Sequence, residues 1–138
     1  MMDHVNDKNL TNHMAVSHDA GATWSGPIDT GVWGQASNLM HWADDTLLTI
    51  HCHREGEDVG LYVRIVDFSD DKWNLVAESR IWNNAPPMKV AAYATMGRSL
   101  RFGQASLLRL DNGDVLATHW AIEDGQSRIL THRLRISV

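Results

Sequence analysis

The sequence predicts an all-β chain, and three observations carry the prediction. Strand-length alternating runs recur along it: "LTNHMAVS", "ASNLMHW", "LLTIHCHR", "GLYVRIVDF", "WNLVAESRIW", "QASLLRL", "DVLATHWA" and "RILTHRLRI". Between them "WADD", "LDNGD" and "EDGQ" supply Asp, Asn and Gly where tight antiparallel connections need them. No segment holds a helical period for three turns, and the chain carries six tryptophans, four of them within these runs. At 138 residues and 43% hydrophobic content, one domain with a real core is expected.

An internal repeat organises these elements. "GQASNLMHWADDTLLTIH" (34–51) returns as "GQASLLRLDNGDVLATH" (103–119), aligning Gly34 with Gly103, Gln35 with Gln104 and, after one deletion, His51 with His119. Trp24 and Trp33 are nine residues apart, as are Trp73 and Trp82, and "FSDDKW" stands where "SHDAGATW" stood. The Trp24 to Trp73 period of 49 residues suits one four-stranded propeller blade, and the Gly34 to Gly103 spacing of 69 exceeds it by an insertion, 83–102. The expected architecture is a partial β-propeller of about two four-stranded antiparallel blades. It divides into a partial blade (1–33), a full blade (34–82), the inserted loop (83–102) and a partial blade (103–138). The strands are expected at 10–17 and 24–33, then 35–42, 46–53, 59–67 and 73–82, then 104–110, 114–121 and 127–136, nine in all.

The run "SHDAGATW" reads as a hairpin turn. Asp19 accepts hydrogen bonds from nearby backbone N–H groups, Gly21 takes a positive φ, and the Trp24 indole lies over the turn. On this reading Trp24→Ala costs ~3 kcal/mol or more, with Trp73 as its counterpart in the degenerate turn. Ser17, Asp19, Gly21, Thr23 and Trp24 together match the Asp-box of the sialidase (BNR-repeat) superfamily, and the chain resembles the C-terminal blades of a six-bladed sialidase-like propeller. In that family the Asp-box hairpins sit away from the ligand-binding face, which implies a structural role for these five residues. The resemblance also implies an alternative activity, glycoside hydrolysis at a site completed by oligomerisation or by a further portion of the protein. No residue here matches the family's tyrosine nucleophile with its glutamate partner, so the catalytic residues are unknown.

Because antiparallel strands alternate in direction, the loops sort by end. Opposite the Asp-box fall Trp33, Gly34 and Gln35; Arg54, Glu55, Glu57 and Asp58; the insertion with Gln104; and Glu123, Asp124 and Gln126. The resemblance makes this the ligand face. "NNAPPMKVAAYATMGRSLRF" brings Lys89, Tyr93, Arg98 and Arg101 there. Arg98 or Arg101 suits a sugar carboxylate through a bidentate fork, and Tyr93 suits a sugar ring, while the alternative is a loop packed on a neighbour with its arginines solvated or paired to Glu123 and Asp124. Gln35 and Gln104 open inner strands, either as hydrogen-bond donors to a ligand or as blade-to-blade clamps. With Arg54 on the same face, the ligand-binding candidates are Arg98, Arg101, Tyr93, Gln35, Gln104 and Arg54.

Composition excludes several classes. A net charge of −5 and a pI near 5.8 offer no basic stripe for nucleic acid or an anionic membrane. Cys52 is the one cysteine, which forbids an internal disulfide and a multi-cysteine metal site. His51 and His53 share a strand face, but two ligands are not a site and His119 repeats His51 as a structural residue does, so no metal or other cofactor is expected. No apolar run approaches the ~18 residues of a membrane span, and "MMDHVNDKNL" lacks a signal peptide's apolar stretch. A soluble protein is expected, cytoplasmic as the sequence stands or secreted if a signal precedes it. The expected partners are a glycan or small polar ligand and further copies of the chain, since two blades leave wide apolar faces. Three two-blade chains make six blades, so a trimer is favoured over a strand-exchanged dimer.

Overall fold

The computed structural model describes residues 2–3, 8–9, 11–34, 37–54, 56–86 and 100–137. Among these the chain is all-β, with eleven strands and no helix. In order they are β1 (Met2–Asp3), β2 (Lys8–Asn9), β3 (His13–Met14), β4 (Ile28–Asp29), β5 (Ser37–Ala43), β6 (Thr46–His53), β7 (Gly60–Asp67), β8 (Asn74–Trp82), β9 (Phe102–Arg109), β10 (Val115–Glu123) and β11 (Gln126–Leu134). Every pairing is antiparallel. β1 pairs with β2, β3 with β4, a four-stranded meander runs β5-β6-β7-β8, and a three-stranded one runs β9-β10-β11.

The seven strands of the two meanders lie within two residues of the ranges expected from the repeat, and the turns between them show why. Asp44 (φ 42°) sits in the β5–β6 hairpin, and Asp124 (φ 51°) with Gly125 (φ 74°) makes the two-residue β10–β11 turn that positive φ at both positions requires. The first pair departs from expectation. In place of long strands at 10–17 and 24–33, only His13–Met14 and Ile28–Asp29 form a ladder. Asn12 takes over the neighbouring positions, donating from Nδ2 to the carbonyls of Val32 and Gly34 while its own carbonyl accepts from Thr30 N and Oγ1. The β1–β2 pair is an addition to the nine expected strands.

The core lies between the two larger sheets. From β6 come Leu48, Ile50 and Cys52, registered with Ile65, Val63 and Leu61 of β7, so all six side chains share one face. They join the same cluster as Val115, Ala117 and Ala121 of β10 and Phe102 and Ala105 of β9. Along β10 burial alternates with period two, the pattern of a sheet packed on one side, whereas β6 is buried almost without interruption because both its faces are covered. β9 lies beside β5 and β6. Arg109 fastens this seam, stacking 4.4 Å from the Trp42 ring and donating to the Trp42 carbonyl at 2.9 Å.

The repeated glycines occupy one structural position. A Cβ on Gly34 (φ 148°) would stand 3.0 Å from the Cys52 carbonyl oxygen, and one on Gly103 would stand 2.5 Å from Arg54 Nη2 and 3.3 Å from Trp120 Nε1. Cys52 follows His51 as Trp120 follows His119, so both glycines permit close approach at the same place in their sheets. Next to Gly103, Gln104 and Ala105 together oppose His119, a β-bulge that holds Gln104 at φ 50°.

Candidate functional site

Among the described residues a concavity lies on the other face of the β5–β8 sheet, where the 30–33 segment crosses it. This cleft, of about 480 Å³, is lined by Thr30, Val32 and Trp33 on one side and by His53, Arg64, Trp73, Leu75 and Glu78 on the other. Strand register builds its base. Thr49 pairs with Arg64, and Arg64 with Glu78, so three polar side chains form a row across β6, β7 and β8. His51 lies on the same face two residues along β6.

Arg64 is buried, and its Nε contacts Glu78 Oε2 at 2.5 Å. Its guanidinium also lies over the Tyr62 ring at 5.3 Å. Three buried polar atoms have no hydrogen-bond partner among the described residues: Thr49 Oγ1, His51 Nδ1 and Arg64 Nη1. All belong to this row and its neighbour, so one patch of the sheet concentrates hydrogen-bonding capacity that the protein leaves unused. Burial, helped by the Arg64 cation, pushes the His51 pKa down from 6.5 to about 4, which keeps the imidazole neutral at neutral pH. The indoles frame the row. Trp73 meets His51 edge to face at 6.2 Å between ring centroids, and Trp33 is 47% exposed at the mouth. Glu78→Ala is expected to cost about 2 kcal/mol by stranding the Arg64 cation, less than for a fully buried pair because Glu78 reaches solvent. Chemical denaturation checks this, and Arg64→Met with Glu78→Leu is expected to recover most of the loss.

The sequence-derived candidates fall elsewhere. Arg98, Tyr93 and Gln35 lie outside the described residues, as do Lys89 and Glu55. Arg101 is exposed immediately before β9, its carbonyl accepting from Ile122 N. Arg54 donates from Nε to the Phe102 carbonyl at 3.0 Å and lies 5.4 Å from the centre of that ring, which ties the end of β6 to the start of β9. Burial lowers its pKa from the ordinary arginine value. Gln104 is exposed on its bulge. Arg54, Arg101 and Gln104 thus gather around the first residues of β9, away from the cleft lining. Of the residues assigned to the ligand face, Trp33 enters the cleft. Arg64 and Glu78 were not among the candidates, although a lone arginine inside the apolar run "GLYVRIVDF" signals a buried cation in need of a partner.

At the turn, Asp19 Oδ1 accepts from Thr23 N at 2.8 Å and Oδ2 from Thr23 Oγ1 at 2.6 Å, while Ser17 Oγ bonds Asp19 and accepts from Gly21 N. These bonds, led by the Thr23 hydroxyl, lower the Asp19 pKa to about 2. Trp24 donates from Nε1 to the Gly21 carbonyl, but its side of the turn faces water and the residue is 64% exposed. The large cost expected for Trp24→Ala is therefore corrected to about 1 kcal/mol, the scale of one hydrogen bond and little burial. Trp73→Ala is expected to lower the melting temperature more, since Trp73 is half-buried against His51; paired thermal melts check the order. His18 bridges the turn to its degenerate counterpart through Asp71 at 2.9 Å.

Among the described residues no three His, Cys, Asp or Glu side chains group to hold a metal ion, and no helix is long and apolar enough to cross a membrane. Comparison of the chain with family models, with curated proteins and with solved structures gives no match in any of the three.

Proposed function

We propose that this chain is a sialidase-like, blade-built module that binds a glycan or a similar small polar ligand in the cleft between the 30–33 segment and the β5–β8 sheet. The observation that carries the reading is the Arg64–Glu78 pair, with Arg64 Nη1 lacking a hydrogen-bond partner among the described residues, in a cleft that Trp33 and Trp73 also line. Sugar rings present apolar faces that stack on indoles and hydroxyls that need donors and acceptors, and both are supplied here. A glycan array on the purified protein tests it. Hits are expected on the parent and are expected to vanish with Trp33→Ala, a thermal melt checking that the variant still folds. An array without hits would leave a structural or interaction module as the better reading.

A second copy of the chain suits the outer face of the β9-β10-β11 sheet. Leu108 and Ile129, 59% and 75% exposed, stand there beside half-buried Leu116 and Trp120. Leu116 repeats Leu48 in the alignment that matches His119 to His51, and Leu48 is wholly buried in the core between the two larger sheets. These apolar residues share the face with Ser106, Thr118, Thr131 and Arg133, a mixed surface suited to a second copy, and repetition of one contact around an axis closes a ring. Light scattering at micromolar concentration is expected to give a closed oligomer, a trimer before a dimer, that Ile129→Arg dissociates. A monomer of 15.5 kDa would contradict this assembly.

A further inference from the structure

The charges lining the cleft decide what kind of glycan it takes. Two side chains with permanent charge line it, Arg64 and Glu78, and they are bonded to each other. Thr30, Trp33, Trp73 and Leu75 add no charge. Arg64 is the one permanent cation in the described lining and is already bonded to Glu78, so a carboxylate entering here would meet no uncommitted guanidinium or ammonium group. To engage Arg64 it would have to displace Glu78 from Nε or lie beside it, setting two anions together. The other polar groups of the lining are of the opposite kind, a hydroxyl at Thr30, the imidazole of His53 and one unpartnered guanidinium nitrogen of Arg64 whose charge is already balanced. Such a set matches hydroxyl groups, which both donate and accept.

We infer that the cleft is selective for neutral sugars and rejects acidic ones, with the Arg64–Glu78 pair as the determinant. This rests on the cleft being the glycan site, and the selectivity is a property of the pair: Glu78 holds Arg64 Nε and balances the charge that an acidic sugar would need. Removing the carboxylate charge while keeping its shape, Glu78→Gln, frees a cation and should invert the preference.

Calorimetric titration with methyl glycosides of glucose, galactose and mannose, each against the matching uronic acid, tests this. For the parent, at least one neutral glycoside is expected to bind at least about tenfold more tightly than its uronic acid, and Trp33→Ala is expected to weaken it about tenfold, placing the binding in the cleft. In Glu78→Gln the ratio is expected to fall to about one or reverse. Tighter binding of the uronic acids by the parent, lost in Trp33→Ala, would overturn the selectivity and keep the cleft as a glycan site. Binding of neither series would overturn both. Should Glu78→Gln not fold, the parent's preference and its loss in Trp33→Ala still decide the case.

Discussion

Acidification from pH 7 to about pH 4.5 is expected to destabilise the fold by about 3 kcal/mol or more, because buried histidines must charge. His51 carries a folded pKa of about 4 against an ordinary value of 6.5, and burial is the main cause. His119 is pushed to about 4 in the same way, with the neighbouring His132 opposing its charge; their Nε2 atoms are 3.0 Å apart, so the facing positions have room for one proton. The sign follows from which state binds protons. Between 6.5 and 4 the unfolded chain takes them up and the folded chain does not, so stability is full above the ordinary value, falls across that window and levels off below it. His18, raised by Asp71 on the surface, acts in the opposite direction but is exposed, and Asp19, held near 2, contributes its own loss only in stronger acid. Denaturant midpoints across this range are expected to show the fall, and His51→Gln is expected to flatten it. Midpoints independent of pH between 7 and 4.5 would remove both histidines from the account.

Trp82→Ala is the single substitution with the largest expected cost, about 4 kcal/mol, or roughly 12 °C of melting temperature. Trp82 ends β8 but serves the other sheet. Its ring lies 4.9 Å from both Phe102 and His119, and its Nε1 donates to Glu123 at 3.1 Å. Truncation would open a cavity at the seam of the two sheets and deprive the Glu123 carboxylate of one of its donors, Asn84 remaining. A loss no greater than that of Trp24→Ala would mean that the sheets are held by something other than this contact. The repeat explains why the two positions differ: Trp82 closes a filled seam, while its counterpart Trp33 stands at the mouth of an open one.

Much of this fold was legible in the sequence because the information is local. The repeated "GQAS" segments, the two-residue turns at Asp44 and Asp124, and the period-two burial of β10 each depend on neighbours a few residues apart. The first hairpin was less legible, since Asn12 trades ladder bonds for side-chain bonds to Val32 and Gly34, some twenty residues away. Of the site, Trp33 could be placed from its spacing to Trp24. Arg64 and Glu78 could not, because their union depends on the register of β7 against β8, which slips at bulges near both ends. Gly60 shows how tightly that register is set: a Cβ there would lie 2.4 Å from the Trp82 carbonyl oxygen. Tyr93 and Arg98, drawn from the insertion, lie outside the described residues.

The six tryptophans offer the most direct test of the cleft as a ligand site, because each indole N–H gives its own proton–nitrogen signal. Titrating the best saccharide from the array into labelled protein is expected to shift the signals of Trp33 and Trp73 and to leave those of Trp24 and Trp120 in place. Shifts confined to Trp24 or Trp120, or to none of the six during demonstrable binding, would contradict the assignment of the cleft.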